Sequence, residues 1–166
     1  MKQTIRILDE VLKHALILIM VALVASVSWQ VISRYIFSSP SSWTEEVARF
    51  LLIWIAVLGA AYAFRTSAHL GLDIVPKKLI GKPAKMLKLF TLLVVVAFSV
   101  AVLIIGGGGL VALTWELKQY SAVLGLPIAF VYSVIPITGT IICIYAAASA
   151  LGEDMNITED SVQPGS

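Results

Sequence analysis

The stretch Ser41–Val75, SSWTEEVARFLLIWIAVLGAAYAFRTSAHLGLDIV, decides the fold of this chain. Its centre, Phe50–Phe64, holds no charged residue, and charged side chains stand on both sides of it. A helix that begins near Trp43 and ends at Phe64 is about 33 Å long at 1.5 Å per residue, which is enough to cross a bilayer. We therefore predict one membrane-spanning helix with a polar anchor at each end.

The two anchors have different interpretations. They consist of Glu45, Glu46 and Arg49 before the uncharged centre, and of Arg65, His69 and Asp73 after it. In the first group both acids lie within one helical turn of Arg49, so the charges can pair on the helix surface. In the second group only His69 and Asp73 are good metal ligands. We therefore interpret it as a hydrogen-bonded cluster that fixes the helix end, or as a docking contact.

The composition of the whole chain is that of a membrane protein. Of its 166 residues, 59% are hydrophobic and 13% are charged, whereas a soluble domain has about 45–50% apolar and about 25% charged residues. The uncharged runs predict four spans, at residues 15–36, 43–64, 89–115 and 127–151. We predict an all-α integral membrane protein, with a single four-helix domain over residues 1–152 and an acidic, disordered tail over residues 153–166.

The segment before the first span, Met1–Lys13, has apolar residues at helical spacing with basic residues between them. One interpretation is a helix that lies on the membrane surface, and the other is the basic start of a cleaved signal peptide. The apolar run that follows is longer than a typical signal core, and no clear small-residue cleavage site follows it. We therefore favour an uncleaved first helix.

Polar and small residues predict how the helices pack. Ser26, Gln30 and Ser33 form a polar stripe on the first span, which has to face protein inside lipid. Small residues form one face of the second span and another stripe on the fourth, and we expect both to pack closely within the helix bundle. The residues expected at helix contacts are Gln30, Ala56, Gly59, Ala60, Ala63 and Gly139.

Glycine and proline predict irregularities in the last two spans. The run Gly106–Gly109 weakens the third helix and permits a bend or a very close neighbour. Pro136 predicts a kink in the fourth span.

The connection between the second and third spans is rich in lysine. Over Val75–Phe90, lysines alternate with apolar residues, and Pro76 suits the start of a short helix that Pro83 would break. We predict a basic amphipathic helix on the membrane surface with its lysines toward anionic headgroups, a basic loop being the alternative. The lysines are Lys77, Lys78, Lys82, Lys85 and Lys88.

Basic residues also predict the orientation of the chain. Most of them lie in the N-terminal segment and in the lysine-rich connection. The positive-inside rule therefore places both termini and this connection in the cytoplasm. Trp43–Arg49 and Trp115–Tyr120 then face the outside.

The centres of the predicted spans carry no charged residue and no histidine. Such residues usually mark an ion, proton or substrate pathway, so a transporter made of this chain alone is disfavoured, although backbone carbonyls can also bind Na⁺. A haem would need His14 and His69 to face each other, and the single Cys143 excludes a thiol pair. We predict no enzymatic activity, no substrate site, no metal and no cofactor.

Three segments of the second span and its C-terminal flank resemble a known family. They are Trp43–Trp54 (WTEEVARFLLIW), Leu58–Arg65 (LGAAYAFR) and His69–Asp73 (HLGLD). Together they resemble the small membrane subunit of tripartite ATP-independent periplasmic (TRAP) transporters, the DctQ-like or Q subunit. No single motif is diagnostic, but the length, the four spans and the lysine-rich segment extend the resemblance to most of the chain.

The resemblance implies a division of labour in a bacterial inner membrane. In this family a large M subunit carries the Na⁺ and substrate sites and moves its transport domain like an elevator. A periplasmic P protein captures an organic acid such as sialic acid or a C4-dicarboxylate. The Q subunit packs beside the scaffold part of M. The implied partners of this chain are M, P and the lipid bilayer, with no nucleic acid.

By the same resemblance, the anchor residues map to the two ends of the second helix. Those at the outer end, near where P docks, are Trp43, Glu45, Glu46 and Arg49; those at the inner end are Arg65, His69 and Asp73. We expect structural anchoring or partner docking from them rather than substrate contact. The alternative functions are a membrane anchor of a redox complex, an autonomous small transporter and a purely structural membrane protein.

Overall fold

A computed structural model describes residues 2–39, 41–66 and 82–150. Within these residues the chain is almost entirely helical, and extended backbone pairs only at the isolated bridge between Tyr120 and Pro127. Four helical stretches are long and apolar enough to cross a membrane: Ile5–Tyr35, Ser42–Arg65, Leu89–Glu116 and Ile128–Ala150. The prediction of an all-α protein with four membrane-spanning helices is therefore confirmed.

Six α-helices and one π-helical segment build these spans. The α-helices are α1 (Lys2–Tyr35), α2 (Ser42–Arg65), α3 (Lys82–Phe98), α4 (Gly107–Glu116), α5 (Ile128–Tyr132) and α6 (Val134–Ala150). The π-helical segment, Ser99–Gly106, joins α3 to α4 without a break, so these three elements form the third span. The fourth span consists of α5 and α6.

The first helix is longer than the span predicted at residues 15–36. Because α1 runs without a break from Lys2, the interpretation of the first 13 residues as a separate surface helix is wrong for residues 2–13. Its 34 residues correspond to about 51 Å, whereas the hydrocarbon core of a bilayer is about 30 Å thick. Ile5 and Leu12 are buried in the same apolar cluster as residues of α2 and α6.

The first two helices, α1 and α2, pack against each other along a regular seam. One series of buried and half-buried positions on α1 recurs every three or four residues, flanked by the half-buried Leu8, Ala15 and Ala22: Ile5, Asp9, Leu12, Leu16, Ile19, Leu23, Ser26, Gln30 and Ser33. Thr44, Ala48, Leu51, Ile55, Leu58, Tyr62 and Arg65 repeat this spacing on α2. A repeat of 3.5 residues is typical of left-handed helix pairs with interlocking side chains. The polar stripe that contains Gln30 thus lies on the side of α1 that packs against α2.

The four spans stand in a row, in the spatial order first, second, fourth and third. α1 packs on α2, α2 packs on α6, and the fourth span packs on the third. Among the described residues, the first and third spans share no extensive contact. Val134, Thr138 and Tyr145 of α6 are almost fully buried, because α6 has a neighbour on each side.

Two glycines let the third and fourth spans approach closely. A Cβ atom on Gly139 would lie 2.7 Å from Cβ of Leu103, and one on Gly107 would lie 2.7 Å from Cγ2 of Ile135. Within the run Gly106–Gly109, Gly107 is therefore the position that a close neighbour explains, since Gly108 and Gly109 face open space.

The fourth span is interrupted at Ser133, which lies between α5 and α6. Pro136 follows three residues later. A proline has no N–H for the carbonyl group four residues earlier, and its ring crowds that carbonyl. Pro136 is therefore the physical cause of the interruption at Ser133.

Part of the small-residue face of α2 makes no close contact with the described residues. Ala56 and Ala60 are exposed, and a Cβ atom on Gly59 would have no neighbour within 4 Å. The buried apolar positions of α2 are instead Leu58, Ala61 and Phe64. Within the described residues, the expected close packing inside the chain's own bundle is therefore not seen at Ala56, Gly59 and Ala60, because α1 and α6 contact α2 through its other side; Ala63 is half-buried.

The described part of the lysine-rich connection begins at Lys82, where α3 starts and continues into the third span. Pro83 lies in the first turn of α3, where proline is tolerated, and does not break a helix there. Lys85 and Lys88 follow in the next two turns. His69, Asp73, Lys77 and Lys78 lie outside the described residues, as does the acidic tail, so the separate surface helix remains a prediction.

Candidate functional site

At one end of the helices, Glu46 joins α2 to the connection between the third and fourth spans. Its Oε2 atom accepts the backbone N–H of Val123 at 3.1 Å and that of Leu124 at 2.9 Å. We call these three residues the Glu46 clamp. Hydrogen bonds to a charged acceptor are stronger than neutral ones. The clamp therefore holds together parts of the chain that are 77 residues apart.

The connection that Glu46 holds is itself a compact hairpin. The N–H of Ser121 donates to the carbonyl of Leu126 at 2.8 Å, and the N–H of Ile128 donates to that of Gln119 at 2.9 Å. Gly125, at φ 65°, makes the tight turn in a conformation that glycine adopts at little cost. Glu46 therefore fastens an element that is already ordered by its own hydrogen bonds.

Glu45 and Arg49 make a separate contact at the same end. Arg49 Nη2 donates to Glu45 Oε1 at 3.1 Å, and both side chains are exposed. An exposed pair at this spacing contributes roughly 0.3–0.5 kcal/mol. Of the two possible pairs, only Glu45 with Arg49 forms, because the carboxylate of Glu46 bonds to the hairpin instead. Trp43, at the start of α2, is half exposed.

At the opposite end, Arg65 connects three helices. Its Nε donates to both carboxylate oxygens of Asp9, at 3.3 and 3.2 Å, and the two side chains are only 13% and 12% exposed. The guanidinium group also lies over the ring of Tyr145, 5.7 Å from its centroid. We call Asp9, Arg65 and Tyr145 the Arg65 cluster. It joins α1, α2 and α6 near their ends.

A third polar contact lies between these two ends. The indole Nε1 of Trp54 on α2 donates to the carbonyl of Val131 at 3.1 Å, in the irregular part of the fourth span. The ring of Trp54 packs against that of Phe130 with centroids 5.9 Å apart. α2 is thus tied to its neighbours at three levels along its length.

Sequence reasoning located part of this arrangement. It selected Glu46 and Arg65, but it missed their partners Asp9 and Tyr145 and the backbone of the hairpin. Asp9 could have been found, because it is an acid within the 3.5-residue repeat of apolar positions on α1. Backbone N–H groups carry no side-chain signal, so no sequence pattern indicates the clamp.

These contacts hold helices together and offer no reactive centre. In the described parts of the chain, no group of three or more His, Cys, Asp or Glu side chains could hold a metal ion. The carboxylates of Asp9 and Glu46 are already occupied by donors of the chain itself. These polar contacts therefore fix the ends of α2 against three other elements.

Comparison with known proteins assigns the family. The sequence model of "Tripartite ATP-independent periplasmic transporters, DctQ component" matches residues 23–154, well over half of the chain. The chain belongs to the DctQ family. The resemblance seen in the second span is therefore confirmed, and the chain is a transporter component rather than an enzyme.

Three relatives illustrate how far the similarity extends. The sialic acid TRAP transporter small permease protein SiaQ of Vibrio cholerae is 29% identical over 64% of this chain and 61% of its own length. The C4-dicarboxylate TRAP transporter small permease protein DctQ of Rhodobacter capsulatus is 31% identical over 66% of this chain and 48% of its own. The isethionate TRAP transporter permease protein DctMQ of Oleidesulfovibrio alaskensis is 28% identical over 72% of this chain and 20% of its own. This DctQ-family chain thus matches about half to two thirds of the two small permeases and a fifth of DctMQ.

Proposed function

We propose that this chain is the small, immobile subunit of a Na⁺-coupled TRAP transporter for an organic acid such as sialic acid or a C4-dicarboxylate, in a bacterial inner membrane. The names of the small-permease relatives support the solute class. The match to a fifth of the longer DctMQ polypeptide supports a large permease as the partner. The observation that carries the immobile role is the set of polar ties at both ends of α2.

A frame beside a moving partner has to resist deformation inside lipid. Lipid provides little hydrophobic drive for helix association, so close packing and polar contacts between helices have to hold it. Glu46 and Arg65 are 19 positions apart, which corresponds to about 28 Å along α2 and is close to the thickness of the hydrocarbon core. Both ties then lie near the membrane surfaces, where charged groups are tolerated.

The distribution of charge supports placing the transport sites in the partner. Between Arg49 and Arg65, and throughout residues 89–115 and 128–150, the sequence has no charged residue. Charged residues inside a membrane usually mark an ion or substrate pathway. In this proposal the Na⁺ and solute sites therefore belong to the large permease.

The orientation of the chain in the membrane is part of the same proposal. Lys2, Arg6 and Lys13 lie toward the Arg65 end of α1, and the lysine-rich connection follows the same end of α2. The positive-inside rule therefore places this end and both termini in the cytoplasm. The Glu46 end, with Trp43, Glu45 and Arg49, then faces the periplasm, where a substrate-binding P protein would dock. In the same proposal, Lys77, Lys78, Lys82, Lys85 and Lys88 contact lipid headgroups.

Reconstitution tests the proposed function. We expect uptake of a radiolabelled organic acid into liposomes under an inward Na⁺ gradient, with Na⁺ outside and none inside, only when this chain is present together with its large permease and binding protein. The chain should co-purify with the large permease and should bind neither Na⁺ nor solute by itself. Uptake by liposomes that contain this chain alone would contradict the proposal.

A further inference from the structure

A shallow cleft of about 410 Å³, largely open to its surroundings, lies at the Glu46 end of α1 and α2. Its wall combines aromatic and hydroxyl side chains, among them Trp29, Ser33, Phe37, Ser41, Trp43 and Val123. Sites for small molecules have volumes of about 300–1,000 Å³ and mostly apolar walls with a few polar groups. The cleft therefore has the size and the mixed character of a site for an amphipathic group.

One polar atom in this wall has no partner. The hydroxyl oxygen of Ser41 is buried and makes no hydrogen bond to any described residue. Ser41 directly precedes the first residue of α2, where a serine side chain usually accepts an N–H of the first turn, yet it makes no such bond. A buried hydroxyl without a partner is unfavourable, so a ligand that bonds to it would relieve this cost.

The cleft lies at the depth of lipid headgroups. From Asp9 in the Arg65 cluster to Ser33 in the cleft, α1 rises about 36 Å. Because the hydrocarbon core is about 30 Å thick, a cluster at one membrane surface puts the cleft at the other. Trp29 and Trp43 are about half exposed there, and tryptophan is the residue enriched at this level.

The wall carries no ionised side chain among its described residues. The charged residues that follow Trp43 are already engaged, since Glu45 pairs with Arg49 and Glu46 bonds to the hairpin. The Glu46 clamp also fixes Val123, which closes one side of the cleft. The wall thus offers hydroxyl and indole donors without a net charge.

We propose that this cleft binds the headgroup of a zwitterionic phospholipid from the leaflet at the Glu46 end. The hydroxyl of Ser41 and the indole N–H groups of Trp29 and Trp43 donate to the phosphodiester oxygens. The aromatic rings pack against the glycerol and the first acyl carbons. A lipid held in this way joins the end of α1, the start of α2 and the tip of the hairpin. This inference does not depend on the proposed transport function.

Native mass spectrometry of the full-length chain tests the proposal, with phosphatidylethanolamine as the titrated probe. We expect one retained lipid, and Ser41→Ala should weaken its binding about three- to tenfold, the effect of losing one hydrogen bond. Thermal stability should not fall, because the Ser41 hydroxyl makes no bond in the lipid-free chain. Ser28→Ala is the matched control, since Ser28 is an exposed serine of α1 that does not line the cleft. Equal lipid retention by the two variants would overturn the proposal.

Two further comparisons separate a specific site from general lipid contact. Trp43→Ala should reduce retention, whereas Trp115→Ala, which removes an exposed tryptophan outside the cleft, should not. Equal losses would mean unspecific lipid contact and would overturn the proposal. Inorganic phosphate and glycerophosphoethanolamine should fail to displace the lipid, because they lack the acyl carbons. Displacement by inorganic phosphate would identify a phosphate site and contradict the lipid assignment.

Discussion

At the scale of single residues, two neighbouring acids on α2 have opposite roles. Glu45 pairs with Arg49 on an exposed surface, whereas Glu46 accepts two backbone N–H groups of a hairpin 77 residues away. The sequence EE at positions 45 and 46 shows no difference between them. The difference arises because consecutive helical residues point about 100° apart, and one of the two directions faces the hairpin.

The two acids make a matched test of the clamp. We expect Glu46→Ala to raise the hydrogen-exchange rates of the Val123 and Leu124 amides severalfold, because Val123 loses its acceptor and Leu124 keeps only the Ser121 hydroxyl, at 3.2 Å. Glu45→Ala should leave these rates unchanged. Hydrogen-exchange mass spectrometry of peptides that cover residues 119–127 measures the effect. Equal rates in both variants and the wild type would exclude the clamp.

The buried ion pair of the Arg65 cluster should contribute more to the free energy of unfolding than the Glu46 clamp does. Removing one partner of a buried ion pair leaves the other charge unpaired and costs about 3–5 kcal/mol. We therefore expect Asp9→Ala and Arg65→Ala each to lower the free energy of unfolding in a denaturing-detergent titration by an amount in this range. The double variant should lose much less than the sum of the two. Strictly additive losses would show that the two side chains do not interact.

At the scale of helices, the spacing of small residues predicts close contact but not the contacting partner. Gly139 and Gly59 both belong to small-residue stripes, yet the first touches the third span and the second faces open space. A stripe that packs within the chain and one that packs against lipid or another chain have the same composition. Composition alone therefore predicts packing inside the bundle for both stripes.

The same substitution at both glycines separates the two environments. Gly139→Ala should destabilise the chain by about 1–3 kcal/mol, because the new methyl group would overlap Leu103. Gly59→Ala should be neutral or stabilise by up to about 1 kcal/mol through helix propensity. The free energies of unfolding measure both effects. Under the proposed function, Gly59→Leu should in addition reduce co-purification with the large permease, while equal destabilisation by the two alanine variants would refute the assigned packing.

The sequence predicted the four spans well, and it misplaced by more than one residue only the N-terminal end of the first span. Uncharged runs located all four crossings because a bilayer excludes charge, which is a strong and local signal. The extension of α1 was missed because Lys2, Arg6 and Lys13 suggested a surface segment. However, Ile5, Asp9 and Leu12 continue the 3.5-residue repeat of the seam. The clamp and the pairing of Asp9 with Arg65 depend on long-range register, which hydrophobic pattern does not encode.

At the scale of the whole molecule, the order of the spans gives the two inner spans more neighbours than the two outer spans. α2 and the fourth span each have a neighbour on two sides, whereas α1 rests on α2 alone among the described spans. The order follows from which helices share polar ties, namely Asp9 with Arg65 and Trp54 with Val131. Hydropathy alone does not distinguish this row of four spans from a closed four-helix bundle.

The proposed orientation is tested at this scale by labelling. In a Cys143→Ser background, single cysteines at Glu10 and Ser39 lie at opposite ends of α1, and both positions are exposed. A membrane-impermeant maleimide added to right-side-out spheroplasts should label Ser39→Cys and spare Glu10→Cys, with both reacting after permeabilisation. The reverse pattern would invert the topology.

The arrangement of the four spans in a row also determines how the molecule responds to mechanical force. A pull on the N terminus loads the seam between α1 and α2 first, because among the described spans α1 makes its extensive contacts with α2. Asp9 and Arg65 stand at the leading edge of this seam, so their ion pair is the first bond to be strained. Mechanical extraction from the membrane therefore proceeds by peeling, with α1 leaving before the remaining three spans separate.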